Sequence, residues 1–105
     1  MVWLYLFIAG VLEVIWAYFM KKSENFTLLW PSIFTIIFMI ASFYLLSIAM
    51  KTLPLGTAYA IWTGIGAVGA FIVGIFLLGE PISLSRIVAA ALIVFGIVLM
   101  KISSH

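Results

Sequence analysis

Four apolar runs divide the chain: Val2 to Met20, Leu28 to Met50, Thr57 to Leu78 and Ile82 to Met100. Each reaches or approaches the roughly 20 residues that an α-helix needs to cross a hydrocarbon core. The connectors are Lys21 to Thr27, Lys51 to Gly56 with the helix breakers Pro54 and Gly56, and Gly79-Glu80-Pro81. Loops this short make consecutive helices antiparallel neighbours. The pattern predicts an all-α membrane protein, a single four-helix transmembrane domain over residues 1–105, with helices near 2–20, 28–50, 57–78 and 82–100 and no soluble appendage.

One polar position interrupts this pattern where lipid tolerates it least. Glu13 lies about 18 Å from Met1 and about 12 Å from Lys21 at the helical rise, close to the centre of a core about 30 Å thick. A carboxylate at that depth is costly, so it marks a proton or cation site facing protein or water. Residues three and four away share its face: Ala9, Gly10, Trp16 and Ala17. Small residues on one side and a flat indole on the other leave room for a planar cation. On the second run Thr35, Met39, Ser42 and Leu46 recur at helical spacing. Ser42 is expected to orient a Glu13 oxygen, the alternative being a hydroxyl bonded back to its own helix.

The third run carries Tyr59 and Trp62 on one face, a phenol donor for Glu13 and an aromatic wall for cation–π contact. Membrane-interface anchoring is the competing explanation for Tyr59, near the start of the run. Gly10, Met39 and Thr63 are expected to pack around the site. Gly66, Ala70 and Gly74 form a ridge of small residues for close helix packing, and Gly64 and Gly66 together make a candidate hinge. In the fourth run Ala90, Leu92, Ile93 and Gly96 are expected to form a dimer contact. Lys51, Arg86 and Lys101 are expected to snorkel to the headgroups, Glu24 and Glu80 to be solvated, and Trp3, Tyr5 and Trp30 to anchor at the interface. His105 receives no role.

Composition sharpens this picture. Of 105 residues 68% are hydrophobic and 8% charged, outside the range of soluble domains. The formal net charge of +2 is spread over segment ends and offers no basic face to nucleic acid. Without cysteine there are no disulfides, thiolate metal sites or cysteine nucleophiles. There is also no Ser/His/Asp set, metal-ligand cluster or phosphate-cradling glycine loop, so neither an enzyme nor a cofactor or metal protein is expected. The first run lacks a preceding Lys or Arg and is broken by Glu13, unlike a signal peptide, and is expected to remain on the mature protein.

The charges barely choose an orientation. Lys21, Lys22 and Arg86 fall on one side, and Lys51 and Lys101 on the other with the N-terminal amine, so the positive-inside bias is weak. Insertion both ways up, and hence an antiparallel homodimer, is expected. Four short helices are also too few to enclose an aqueous site, whereas two copies bring two Glu13 carboxylates together.

Several motifs match one family. They are Gly10-Val11-Leu12-Glu13-Val14-Ile15-Trp16-Ala17, the stretch Lys51-Thr52-Leu53-Pro54-Leu55-Gly56-Thr57-Ala58-Tyr59-Ala60-Ile61-Trp62-Thr63-Gly64-Ile65-Gly66-Ala67, and Leu92-Ile93-x-x-Gly96. Through them the chain resembles the small multidrug resistance family of bacterial exporters along essentially its whole length. Trp16, Thr63 and Lys101 are similar to its guanidinium-exporting branch, whereas the polyaromatic-cation branch usually has Gly at the Trp16 position. The resemblance implies a dual-topology dimer in the inner membrane that exports guanidinium in exchange for protons. It further implies that Glu13 of both subunits binds substrate and proton in competition, with Trp16, Ser42, Tyr59 and Trp62 around it. Two alternatives stand beside it: export of quaternary ammonium or aromatic cations, and a non-transporting structural or regulatory membrane subunit.

Overall fold

The structure is a computed structural model that describes residues 2–103; His105 lies outside the described residues. Among these the chain forms four helices, α1 (Val2–Lys22), α2 (Leu29–Ala49), α3 (Leu55–Leu77) and α4 (Leu84–Ser103). All four are long and apolar enough to cross a membrane. At 1.5 Å per residue each spans about 30 Å or slightly more, the thickness of the hydrocarbon core.

The helix ends depart from the apolar runs by a few residues, for local reasons. α1 continues through Lys21 and Lys22, whose cations suit the exposed carbonyls of a C-terminus. α3 starts directly after Pro54, whose carbonyl accepts from the Ala58 N–H at 3.0 Å. α4 starts after Ser83, whose hydroxyl accepts from the Arg86 N–H at 3.3 Å, as a helix cap does. Between α1 and α2 the backbone turns left-handed at Glu24, Asn25 and Phe26, with φ of 49°, 64° and 64°. This conformation disfavours side chains with a Cβ. Ser23, fully buried at the turn, donates to the Met20 carbonyl at 2.7 Å and accepts from the Phe26 N–H at 3.0 Å.

α1 is the centre of the molecule. Leu6 and Ala9 on it are fully buried, in a core shared with Leu46 and Ala49 of α2 and with Ala58, Ile61 and Trp62 of α3. Glycines let α1 and α3 approach closely: Gly10 lies against Ile65, and Gly69 against Val14. With no hydrophobic effect to drive association in lipid, such close backbone approach is what holds helices together. Towards one end Phe19 of α1 packs on Phe34 and Phe38 of α2, with ring centroids 5.2 and 6.0 Å apart.

α4 packs mainly on α3, setting Ile93 and Ile97 against Gly64, and none of its residues is buried. Val88, Leu92, Phe95, Leu99 and Ile102 form an open apolar face along it. Of the residues expected to make a dimer contact, Leu92 lies on that face. Ala90, Ile93 and Gly96 instead line crevices against α3. α1 packs on α2 and α3, which also touch each other, and α4 lies beyond on α3; the bundle is only 17 Å through its thinnest direction. That is about two helices deep at ordinary interaxial spacing and leaves no room for an enclosed aqueous chamber.

Two exposed cations expected to reach for headgroups also lie over aromatic rings. Lys101 lies over the Trp3 ring, 5.5 Å from its centroid, and so ties α4 to α1. Arg86 lies over Phe71 at 5.7 Å. Each contact satisfies the cation with an aromatic face at the bundle's edge.

Candidate functional site

Glu13 points from the middle of α1 at α3, where Gly66 makes way for it. An alanine at position 66 would put its Cβ into the Glu13 carboxylate. One carboxylate oxygen, Oε1, is buried with no hydrogen-bond partner among the described residues, and one helical turn away the Trp16 indole nitrogen is buried and equally unpartnered among them. An unpaired buried acceptor or donor costs about 1–3 kcal/mol, more for a charged group. Each would be satisfied by a ligand that supplies the missing hydrogen bond.

Ser42 is fully buried, but its hydroxyl does not reach Glu13. It donates to the Ala9 carbonyl of α1 at 2.7 Å and accepts from the Trp62 indole N–H at 3.0 Å. The competing possibility, bonding back to its own helix, is also not what occurs; Thr35 does that, donating to the Pro31 carbonyl at 2.7 Å. Ser42 therefore fixes the Trp62 ring and pins α2 and α3 to the turn of α1 that precedes Glu13.

The aromatic residues form a continuous row. Trp16 meets Phe43 edge-on at 6.2 Å, Phe43 meets Trp62 at 5.7 Å, and Trp62 meets Tyr59 at 5.6 Å. Phe43 joins the two tryptophans and was not singled out from the sequence. Its neighbour Ser42 drew attention as the polar residue, while a phenylalanine in an apolar run gives no signal of its own. Tyr59 is 52% exposed and its hydroxyl makes no hydrogen bond among the described residues, so it is free at the open side of the row. Met39 is half-buried on the Ser42 face of α2, and Thr63 is exposed.

The candidate hinge lies in an unbroken helix, since α3 runs from Leu55 to Leu77 through both glycines. Gly64 receives Ile97 and Gly66 receives Glu13, so each has a packing reason to lack a side chain. No group of three or more His, Asp or Glu able to hold a metal ion occurs among the described residues. Chemically, the arrangement offers a carboxylate for a cation or a proton, and indole and phenyl rings on the same bundle whose faces favour flat cations.

Comparison with known proteins gives the family. Residues 1–93 match the family profile described as Small Multidrug Resistance protein. The chain is 58% identical over 105 residues, all of both chains, to a protein of Citrobacter freundii named Guanidinium exporter. It is 59% identical over the same full length to the Guanidinium exporter of Salmonella typhimurium strain LT2. With that of Yersinia pseudotuberculosis the identity is 58% over 104 residues, 99% of this chain and 100% of the relative. Four helices long and apolar enough to cross a membrane, a half-buried carboxylate in the first of them and a match over most of the length together place the chain: it is a multi-pass membrane protein that belongs to the small multidrug resistance family.

Proposed function

We propose that this protein is a proton-coupled antiporter that exports guanidinium, acting as an antiparallel, dual-topology homodimer in the bacterial inner membrane. It is a transporter rather than an enzyme. The observation that carries this function is the unpartnered Oε1 of Glu13, a buried acceptor near the middle of α1 that faces Gly66 of α3. Full-length relatives named Guanidinium exporter, all from bacteria, support both cargo and location.

Guanidinium is planar and carries its donors in its own plane. It can give two parallel hydrogen bonds to a carboxylate while its face lies on an indole. Glu13 with Trp16 and Trp62 supplies both kinds of contact, and Ser42, by holding the Trp62 N–H, keeps that ring in place. A proton neutralises the same carboxylate and removes the charge that attracts the cation. Proton and guanidinium then exclude one another, and an inward proton gradient drives the cation out without any nucleotide.

The slab-like shape supports a second copy. A bundle 17 Å thin cannot wall off a solute, and the open face of α4 is a broad apolar surface for a partner or for lipid. An inverted partner would bring a second Glu13 opposite the first. Guanidinium uptake into proteoliposomes under a proton gradient tests the proposal. Wild type is expected to exchange guanidinium for protons and Glu13→Gln to lose the exchange; preference for quaternary ammonium cations, or no cation-dependent proton movement, would contradict it.

A further inference from the structure

Glu80, expected to be a solvated loop residue, is folded back onto the bundle. At the end of α3 the N–H groups of Leu78 and Glu80 both donate to the Gly74 carbonyl, at 3.2 and 3.0 Å. Gly79, with φ of 69°, supplies the left-handed residue that lets the chain reverse there. The reversal lays the Glu80 carboxylate directly on Gly74, where the Cβ of an alanine would overlap it. Arg86 stands beside it, Nη2 to Oε1 at 4.0 Å, with Nη1 donating to the Pro81 carbonyl at 3.4 Å and the guanidinium over Phe71.

Glu80 in this position occupies a junction. It lines a cavity of about 160 Å³ between α1 and α3, whose other walls include Val14, Ala17, Lys21 and Val73. It also lines a crevice of about 430 Å³ between α3 and α4, with Ala70, Phe71 and Arg86. The first cavity runs along the face of α1 from Lys21, at the membrane edge, to Val14, the residue next to Glu13. We propose that Glu80 is a latch. Docked on Gly74 and paired with Arg86, it closes the α1/α3 cavity to the adjoining aqueous face, and its release opens a path along Ala17 and Val14 to Glu13. The path serves protons and hydrated cations, so the latch rests on the transport function proposed above and adds a gating residue to it.

The chain has no cysteine, so a single Ala17→Cys gives one reporter thiol in the cavity. Its labelling by a water-soluble thiol reagent, in purified protein without any cargo, measures access. Glu80→Gln keeps the side-chain volume and removes the charge. It is expected to speed labelling about two- to fivefold, the range that an exposed ion pair can supply, and Arg86→Gln is expected to do the same. Exchanging the pair, Glu80→Arg with Arg86→Glu, is expected to restore slow labelling. Gly74→Ala, which evicts the carboxylate, is expected to label at least as fast as Glu80→Gln. A control thiol at Ala49→Cys, fully buried at the opposite end of the bundle, detects general loosening. Unchanged rates at Ala17→Cys, equal acceleration at both thiols, or no rescue by the exchanged pair would overturn the latch. A transporter of some other cation would give the same labelling pattern, so failure of the guanidinium assignment is read separately, in the transport assay.

Discussion

The Trp62 indole N–H donates to the Ser42 hydroxyl at 3.0 Å, and that hydroxyl donates to the Ala9 carbonyl at 2.7 Å. Three helices are thus joined one turn from Glu13 through a single serine. Ser42→Ala strands a buried indole donor and is expected to destabilise the fold by about 1–3 kcal/mol. Adding Trp62→Phe removes the donor, so the double variant is expected to cost less than the sum of the two single changes. Unfolding in detergent micelles measures the cycle; additive costs would contradict the link.

Gly66 is where α3 yields to the Glu13 carboxylate. Gly66→Ala is expected to fold but to displace the carboxylate, weakening cation binding by about 1–3 kcal/mol, the usual cost of overpacking. Gly56→Ala serves as control, because a Cβ there meets nothing within 4 Å; its binding is expected to match wild type. Calorimetric titration of both variants decides the matter, and equal affinities would count against the contact.

Much of this arrangement is legible in the sequence. The four runs stand out because apolar stretches near membrane length are bounded by Lys, Pro and Gly, and Glu13 is conspicuous because a carboxylate has no ordinary place there. Helical periodicity then puts Gly10 and Trp16 beside it. What periodicity leaves open is the direction of contacts between helices. Ser42 is on the right face, yet its hydroxyl goes to a backbone carbonyl rather than to Glu13. Phe43 is invisible in an apolar run until Trp16 and Trp62 are seen on either side of it. Glu80 looks solvated until the left-handed Gly79 turns it back onto Gly74. Lys101 and Arg86 show the same limit, since nothing along the chain reveals that Trp3 and Phe71 lie beneath them.

Trp16 sets the cargo if its ring forms one wall of the site. Trp16→Gly is expected to weaken guanidinium relative to a quaternary ammonium by several-fold, in line with roughly 0.5–2 kcal/mol for a cation–π contact. Trp16→Phe keeps a ring face and drops the unpartnered N–H, and is expected to retain the preference for guanidinium. Competition uptake with a panel of cations reads both, and an unchanged preference in Trp16→Gly would show that the ring is not part of the wall.

The proposed dual topology rests on the balance of Lys21, Lys22 and Arg86 against Lys51 and Lys101. Reporters fused to the C-terminus are expected to appear on both sides of the membrane in the wild type. Adding two or three lysines to one set of loops is expected to fix one orientation and abolish export. Co-expression with the oppositely biased variant is expected to restore it. A wild type already fixed in one orientation would rule out the antiparallel dimer.

Competition at Glu13 is open to one measurement, guanidinium binding to the purified protein as a function of pH, in wild type and in Glu13→Gln. If proton and cation share the carboxylates, the apparent affinity of the wild type falls by up to about tenfold per pH unit as the carboxylates take up protons, and Glu13→Gln does not bind. Binding that is independent of pH, or that persists in Glu13→Gln, would contradict it.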